Sequence, residues 1–264
     1  MVRRIQKMPT PSGIGAGQTA SLTLPLGLTY HQFMIEARDA GGLVADFAPE
    51  VEEVRLLVDG DVTYQISADH LQKLNAFYGE APIAGVLDLF LSRPWMRTIA
   101  GEDQTAYGTA GGMQSFALEV DLAAGSGIQK LDVYAVQSAA KPFGTHLRLQ
   151  KHVHTQGVAG EAEISDLPRG AFSLMALHLT TSGIEDVDVV VDNRRVRETS
   201  KTIRSGMSKR AGRTEQAGFT HVDFLTENRL IESLPMNVSD FRVRADFTAT
   251  GNFAIYSETL RNGR

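Results

Sequence analysis

The sequence contains no cysteine, one tryptophan and only 7% aromatic residues among its 264 residues. The lack of cysteine excludes disulfide bonds, thiolate metal sites and a cysteine nucleophile. No run of apolar residues approaches the roughly 18 to 20 that a membrane-spanning helix needs. Motifs for a nucleophile elbow, a phosphate-binding loop and a zinc protease are also missing. We therefore predict that the protein is not an enzyme and has no catalytic residues.

Acidic residues only slightly outnumber basic ones, and the net charge at pH 7 is −5. A general attraction to nucleic acid or to a membrane surface does not follow from so mild a charge. The charge is unevenly distributed, however. Residues 1–142 contain 10 Lys and Arg against 16 Asp and Glu, whereas residues 143–264 contain 16 against 15.

Short strand-like segments make up most of the chain. Leu22, Leu24 and Leu26 alternate with other residues, which is the period of two that a half-buried strand needs. Asp59-Gly60 separates two β-rich segments and predicts a hairpin. A clear helical pattern occurs over residues 67–79, with Ser67 as the N-cap and a glycine at its end.

The same order of segments occurs twice. Residues 17–27 (GQTASLTLPLG) and 160–170 (GEAEISDLPRG) both run from Gly to Gly and end in Leu-Pro-x-Gly. Residues 184–200 likewise repeat 51–67, with Asp192-Asn193 in place of the first hairpin turn. We predict an all-β protein of two tandem eight-stranded jelly-roll β-sandwiches with short helices in loops. The predicted parts are a flexible arm at 1–16, rich in Pro and Gly, and jelly rolls at 17–142 and 143–264.

A metal site is the main chemical alternative. His146, His152 and His154 share one parity of a predicted strand, and Glu163 follows, which loosely resembles the start of a cupin metal site. The spacing to Glu163 is too long, and solvated or interface histidines explain the pattern more simply. Calcium could bind near Asp59 or near Asp186 and Asp188, but a turn and a solvent-facing strand explain these residues better. A structural calcium ion therefore has no predicted position.

Basic residues are concentrated between positions 194 and 213, where eight Lys and Arg stand against Glu198 alone. The segment lacks the aromatic residues that nucleic-acid binders use for stacking. We predict that it forms a helix with one apolar face, including Ile203 and Met207, and that it contacts protein. The N-terminal basic residues could also contact an anionic surface. The candidate contact residues for partner proteins or membrane are Arg3, Arg4, Lys7, Arg194, Arg195, Arg197, Lys201, Lys209 and Arg210.

A family resemblance rests on several segments taken together. They are the repeated Leu-Pro-x-Gly elements, VEEVRLLVDG (51–60), FLSRPWM (90–96), LMALHLTTSGIEDVDVVVD (174–192) and YSETLRNGR (256–264). With these segments in this order, the sequence resembles the double jelly-roll major capsid proteins of corticovirus-type phages, which are icosahedral bacteriophages with an internal membrane. The resemblance implies pseudo-hexagonal homotrimers in a virion shell, contacts with neighbouring capsomers and an internal membrane, and no specific nucleic acid. It also implies assembly in the host cytoplasm.

The alternative is a tandem jelly-roll protein of another class, either a cupin-like metal-dependent enzyme or a sugar-binding protein. A sugar site would need exposed aromatic rings, and the chain offers a single tryptophan, Trp95. No cofactor is predicted.

Overall fold

The computed structural model describes residues 3–263 and divides the chain into two compact units. The first unit extends to Leu149 and includes the C-terminal residues from Asn262, and the second is Gln150–Arg261. The boundary therefore lies beyond the predicted one at 142/143. The reason is a strand over residues 145–156 that begins in the first unit, where the Leu147 carbonyl accepts a hydrogen bond from the hydroxyl of Tyr107.

The first unit is built from ten strands and two helices. The strands are β1 (Arg4–Lys7), β2 (Thr19–Thr23), β3 (Thr29–Asp39), β4 (Gly42–Leu43), β5 (Val51–Val58), β6 (Asp61–Ile66), β7 (Val86–Phe90), β8 (Tyr107–Gly108), β9 (Phe116–Leu122) and β10 (Lys130–Ser138). The helices are α1 (Ala68–Phe77) and α2 (Ile99–Gln104). The sequence predicted α1, whereas α2 was too short to be seen as a pattern.

These strands form two sheets. In one, β3 is central and pairs antiparallel with β10, β4, β7 and β8, and β1 pairs with the outer side of β10. In the other, β5 pairs with β6 and β9, and β9 pairs with β2. Four rings that are almost fully buried, those of Tyr30, Phe33, Tyr107 and Phe116, contact one another in the core.

The second unit contains nine strands and one helix. The strands are β11 (Thr145–Gln156, which begins in the first unit), β12 (Gly160–Ile164), β13 (Phe172–Leu179), β14 (Ile184–Val191), β15 (Arg194–Ser200), β16 (Thr220–Asp223), β17 (Leu234–Pro235), β18 (Phe241–Phe247) and β19 (Gly251–Asn262). The helix is α3 (Lys201–Arg210), and a short 3-10 turn covers Leu230–Glu232. The core of the second unit is mostly aliphatic, with Ile184, Val187 and Val189 fully buried.

Strand pairing repeats between the units. β13 pairs with β16 and β19 as β3 pairs with β7 and β10. β14 pairs with β15 and β18 as β5 pairs with β6 and β9, and β12 borders β18 as β2 borders β9. The predicted duplication and the all-β double jelly roll are therefore confirmed.

Both predicted hairpin turns are present. Asp59 and Gly60 have φ of 52° and 86°, and Asp192 and Asn193 have φ of 47° and 61°. Two successive residues with positive φ define the tight turn that matches the twist of paired strands. Gly, Asn and Asp adopt this conformation most readily, which explains the residue types at these positions.

The predicted flexible arm at 1–16 is wrong for residues 4–8, and residues 1 and 2 lie outside the described residues. β1 forms a regular antiparallel pair with β10, from Arg4 opposite Gln137 to Lys7 opposite Tyr134. The backbone N–H of Met8 then donates to the Val133 carbonyl at 2.8 Å, and the Met8 side chain is buried. Hydrogen bonds between the strands and the burial of Met8 therefore fix residues 4–8. The Pro and Gly residues that follow had led us to predict a flexible segment.

Candidate functional site

Three of the predicted contact residues lie on or beside β1. Arg3 forms an ion pair of 2.6 Å with Asp103, and Lys7 forms one of 2.9 Å with Asp132. The hydrogen bond from Lys7 lowers the pKa of the Asp132 carboxyl. Arg4 is exposed and has no ion pair with any residue between 3 and 263. Arg4 is therefore the cation of this group that remains available for a partner.

The prediction that the whole basic segment forms one helix is wrong. Residues 194–200 are strand β15, as the repeat of the first hairpin predicts, and only Lys201–Arg210 is helical. Arg195 forms ion pairs with Asp188 at 3.2 Å and Glu198 at 2.9 Å. Arg197 donates to the Asp223 carbonyl at 2.6 Å and lies over the ring of Phe224, 4.7 Å from its centroid. Burial lowers the pKa of Arg197. These arginines are thus engaged within the unit.

The predicted apolar face of α3 is wrong at Ile203, whereas Met207 is half-buried and Ala211, just after the helix, is buried. Ile203 is 55% exposed, and the side of the helix that packs inward carries Arg204 and Ser208. The Arg204 guanidinium donates to the carbonyls of Ile184, Glu185 and Thr199 at 2.9 to 3.0 Å. Such a fork satisfies carbonyls that would otherwise be buried without partners, which an apolar side chain cannot do.

Few cations of the segment remain without a partner inside the chain. Arg213 is buried in an ion pair with Asp223, and Lys201 reaches Glu185 at 3.5 Å. Arg194, Lys209 and Arg210 are exposed and form no ion pair with the described part of the chain. Lys209 and Arg210 lie side by side in the last turn of α3, where the helix dipole favours positive charge.

The three histidines of the alternative metal site are not brought together. His146 belongs to the first unit and donates from Nδ1 to the Gly144 carbonyl at 2.9 Å. In the second unit, His152 Nε2 lies 3.1 Å from the Ser257 hydroxyl, and His154 stacks on Phe253. Burial lowers the pKa of His152, as does the neighbouring His154. Residues 3–263 contain no group of three or more His, Asp or Glu side chains placed to hold a metal ion.

Of the acidic residues for which calcium was the alternative, Asp188 pairs with Arg195 at 3.2 Å, and Asp59 binds backbone, as does Asp192 at the equivalent turn. Asp59 Oδ1 accepts hydrogen bonds from the backbone N–H groups of Gln114 and Ser115 at 2.6 and 2.7 Å. Asp192 Oδ1 does the same for Ser239 and Asp240. Each turn therefore fixes the loop that leads into β9 in the first unit or into β18 in the second.

A groove of about 330 Å³ lies on the first unit, and no sequence pattern had indicated it. Its floor is the outer face of the β3 sheet, and α1 with the following loop forms one wall. It is lined by Arg3, His31, Gln32, Met34, Gln72, Asn75, Glu80, Ala81, Pro82, Ile83, Val86, Asp88, Phe90, Ser92, Pro94 and Val136. The residues come from β3, β7, β10 and α1, so only long-range strand pairing assembles them, and no sequence motif could have indicated the groove.

Trp95 does not offer an open platform for a sugar, because its ring stacks on Tyr78 with 4.4 Å between centroids. None of the helices in the described residues is long and apolar enough to span a bilayer.

Comparisons with solved structures support the double jelly roll. The chain is similar to the major capsid protein P2 of bacteriophage PM2, with a TM-score of 0.91 and 20% identity over 99% of this chain and 98% of that one. It is similar to a chain of Sulfolobus Turreted Icosahedral Virus (TM-score 0.70, 9% identity, 98% and 90% covered). The Faustovirus major capsid protein also matches (TM-score 0.65, 8% identity, 99% and 89% covered). At these identities, the likeness establishes the fold.

A search of curated proteins gives no match. Two family models do match: the N-terminal domain of viral coat protein P2 over residues 5–138, and its C-terminal domain over 146–263. The alternative of a tandem jelly-roll enzyme is not supported by this family. Matched in both halves, the chain belongs to the viral coat protein P2 family, so it is a structural protein of the virion that assembles with other coat subunits.

Proposed function

We propose that this coat protein is the major shell subunit of an icosahedral virus with an internal membrane, and that it assembles as a homotrimer. The duplicated jelly roll is the observation that carries this proposal. Three copies of a chain with two equivalent jelly rolls supply six similar sandwiches, which gives a trimer an almost hexagonal outline. A tile of this outline covers a surface with one kind of capsomer.

The partners in this proposal are neighbouring capsomers and the anionic surface of the membrane beneath them. The support lies in Arg4, an exposed candidate contact residue that forms no ion pair within residues 3–263. Specific nucleic-acid binding is not part of the proposal, because residues 194–213 contain no aromatic side chain for stacking. Assembly takes place in the host cytoplasm, and calcium between subunits, with no residues assigned to it, completes the proposal.

Light scattering on the purified protein, with calcium and with chelator, tests the assembly state. The expected mass is about three times 28.7 kDa. A fall in mass on chelation would support the role of calcium, whereas an unchanged mass would remove calcium from the proposal. A monomer or dimer under all conditions would overturn the homotrimer, and electron microscopy of the trimer fraction would test shell formation.

Vesicle co-sedimentation tests the membrane contact. Because a basic residue near an anionic lipid surface contributes about 1 kcal/mol, Arg4→Glu is expected to weaken binding to phosphatidylserine vesicles roughly fivefold. Gln6→Glu, on the same exposed strand, is the control for added negative charge. Equal binding of the wild type to neutral and anionic vesicles would contradict the contact.

A further inference from the structure

The groove on the first unit has an apolar floor and a negatively charged side. Met34, Phe90 and Val136 contribute to its floor from three neighbouring strands, and Asp88 and Glu80 contribute carboxylates. Asp88 accepts a hydrogen bond from Gln32 Nε2 at 2.8 Å. Burial raises the pKa of Asp88, and the nearby charge of Glu80 raises it further.

The two carboxylates have no cationic partner among residues 3–263. Arg3, the one cation that lines the groove, is held by Asp103. A half-buried carboxylate beside a second one is costly unless a positive charge offsets the repulsion. The groove is therefore suited to an added cation.

The chemistry of the groove selects a long cationic side chain. Lysine and arginine lay their methylene stems along apolar surface and place the charged end on polar groups. The volume of about 330 Å³ lies at the lower end of the range for pockets that bury a ligand, about 300 to 1,000 Å³. The apolar floor matches the methylene stem of such a side chain, and the two carboxylates match its charged end.

The second unit offers suitable cations at the end of α3. Lys209 and Arg210 are adjacent, exposed and without an ion pair inside the described chain. The half of the chain that carries them, residues 143–264, has 16 basic and 15 acidic residues, while residues 1–142 have 10 basic and 16 acidic residues. Two different surfaces of opposite charge suit a contact in which the acidic surface of one copy meets the basic surface of the next. Contacts of this kind can close into a ring.

We propose that the groove on the first unit of one subunit receives Lys209 and Arg210 from α3 of the next subunit around the trimer. This inference rests on the proposed homotrimer and adds the surfaces that join its subunits. Glu80 and Asp88 bind the two cationic ends, and Met34, Phe90 and Val136 contact the side-chain stems.

Charge reversal in the full-length protein tests the contact. Glu80→Lys and the double variant Lys209→Glu/Arg210→Glu place like charges opposite each other, so the trimer should dissociate at lower urea concentration, with an apparent dissociation constant raised roughly tenfold or more. The triple variant that combines all three changes restores opposite charges and should recover most of the loss. The readout is mass by light scattering across a urea series, with circular dichroism on the same samples to show that each variant is folded.

Arg194→Glu is the matched control, because Arg194 is an exposed cation of the same unit that lies outside α3 and should leave the trimer unchanged. If the charge-reversal variants form trimers that dissociate at the same urea concentration as the wild type, this contact is overturned but the homotrimer is not. The same holds if Arg194→Glu weakens the trimer as much or the triple variant shows no recovery. A wild-type protein that is monomeric throughout would overturn the homotrimer itself, and the contact with it.

Discussion

Asp59 and Asp192 do the same work at equivalent turns of the two units. Each adopts positive φ and accepts two backbone hydrogen bonds from the loop that precedes β9 in the first unit or β18 in the second. Hydrogen bonds to Ser239 and Asp240 lower the pKa of Asp192, which keeps the carboxylate charged and accepting. A carboxylate with this role explains why an acidic residue begins both turns without any metal ion.

Asp59→Ala is expected to lower the free energy of unfolding of the first unit by about 1 to 2 kcal/mol, because two backbone N–H groups lose a charged acceptor. Asp61→Ala, next to the same turn, removes an exposed carboxylate and should change it by less than about 0.5 kcal/mol. Urea unfolding monitored by tryptophan fluorescence measures both, since Trp95 lies in the first unit. Equal effects of the two variants would contradict this role of Asp59.

His31 should make the first unit less stable in acid. Burial is the main cause that lowers its pKa to about 4, and Arg3 and Lys141 lower it further against the opposing effect of Asp103. In the unfolded chain the ring takes up a proton near pH 6.5, but in the folded unit only near pH 4. The stability associated with neutral His31 is therefore present above pH 6.5 and is lost as the pH falls toward 4.

His31→Gln removes this titration while it keeps a group that can bind the Ser138 hydroxyl, which lies 2.7 Å from His31 Nε2. The urea midpoint of the variant is expected to fall less between pH 7 and pH 4.5 than that of the wild type. Parallel pH profiles for the two proteins would show that His31 does not control this loss.

Helix α3 shows how a helix can pack through polar groups. Its N-cap, Ser200, accepts from the backbone N–H of Ile203, as Ser67 does for α1. Leu71 and Leu74 are buried on α1, whereas Arg204 and Ser208 are buried on α3. The cap of α1 was predicted from the sequence because it is local, but the polar inner side of α3 depends on the Ile184 and Glu185 carbonyls of β14, which lie 20 and 19 residues before Arg204.

Arg204→Lys is expected to destabilise the second unit by roughly 2 to 3 kcal/mol, although it keeps the charge. One ammonium group cannot reach all three carbonyls that the planar guanidinium serves, and buried carbonyls without a partner are costly. Arg210→Lys, at an exposed position on the same helix, should have little effect. The measurement is the unfolding midpoint in urea by circular dichroism, and similar values for the two variants would contradict the bridging role of Arg204.

The molecule as a whole repeats one pattern of strand pairing with different interiors. The first unit is centred on aromatic rings and the second on aliphatic side chains, yet equivalent strands have equivalent neighbours. A duplicated coat protein can therefore specialise its two surfaces while it keeps one fold. The acidic groove and the basic end of α3 are such specialised surfaces.

Asp88→Asn should affect the subunit and the assembly in opposite directions. Because the pKa of Asp88 is raised, its charge destabilises the folded subunit at neutral pH, and the amide should raise the thermal unfolding temperature of the monomer. The same change removes one charge from the proposed contact, so the trimer should dissociate at lower urea concentration. Asp88 in the wild type loses its charge as the pH falls through its raised pKa, and the trimer should weaken there, while the variant should lack this part of the pH dependence.

The pattern of residues alone determined the all-β class, the duplication, both hairpin turns and α1, because these depend on periodicity, capping and turn chemistry within short segments. The resemblance to capsid proteins came from particular motifs and their order. Tertiary structure decided that β1 is paired rather than flexible, that α3 buries an arginine, that the histidines are separated, and that a groove exists. Each of these depends on which distant strands become neighbours, and long-range pairing leaves no local mark in the sequence.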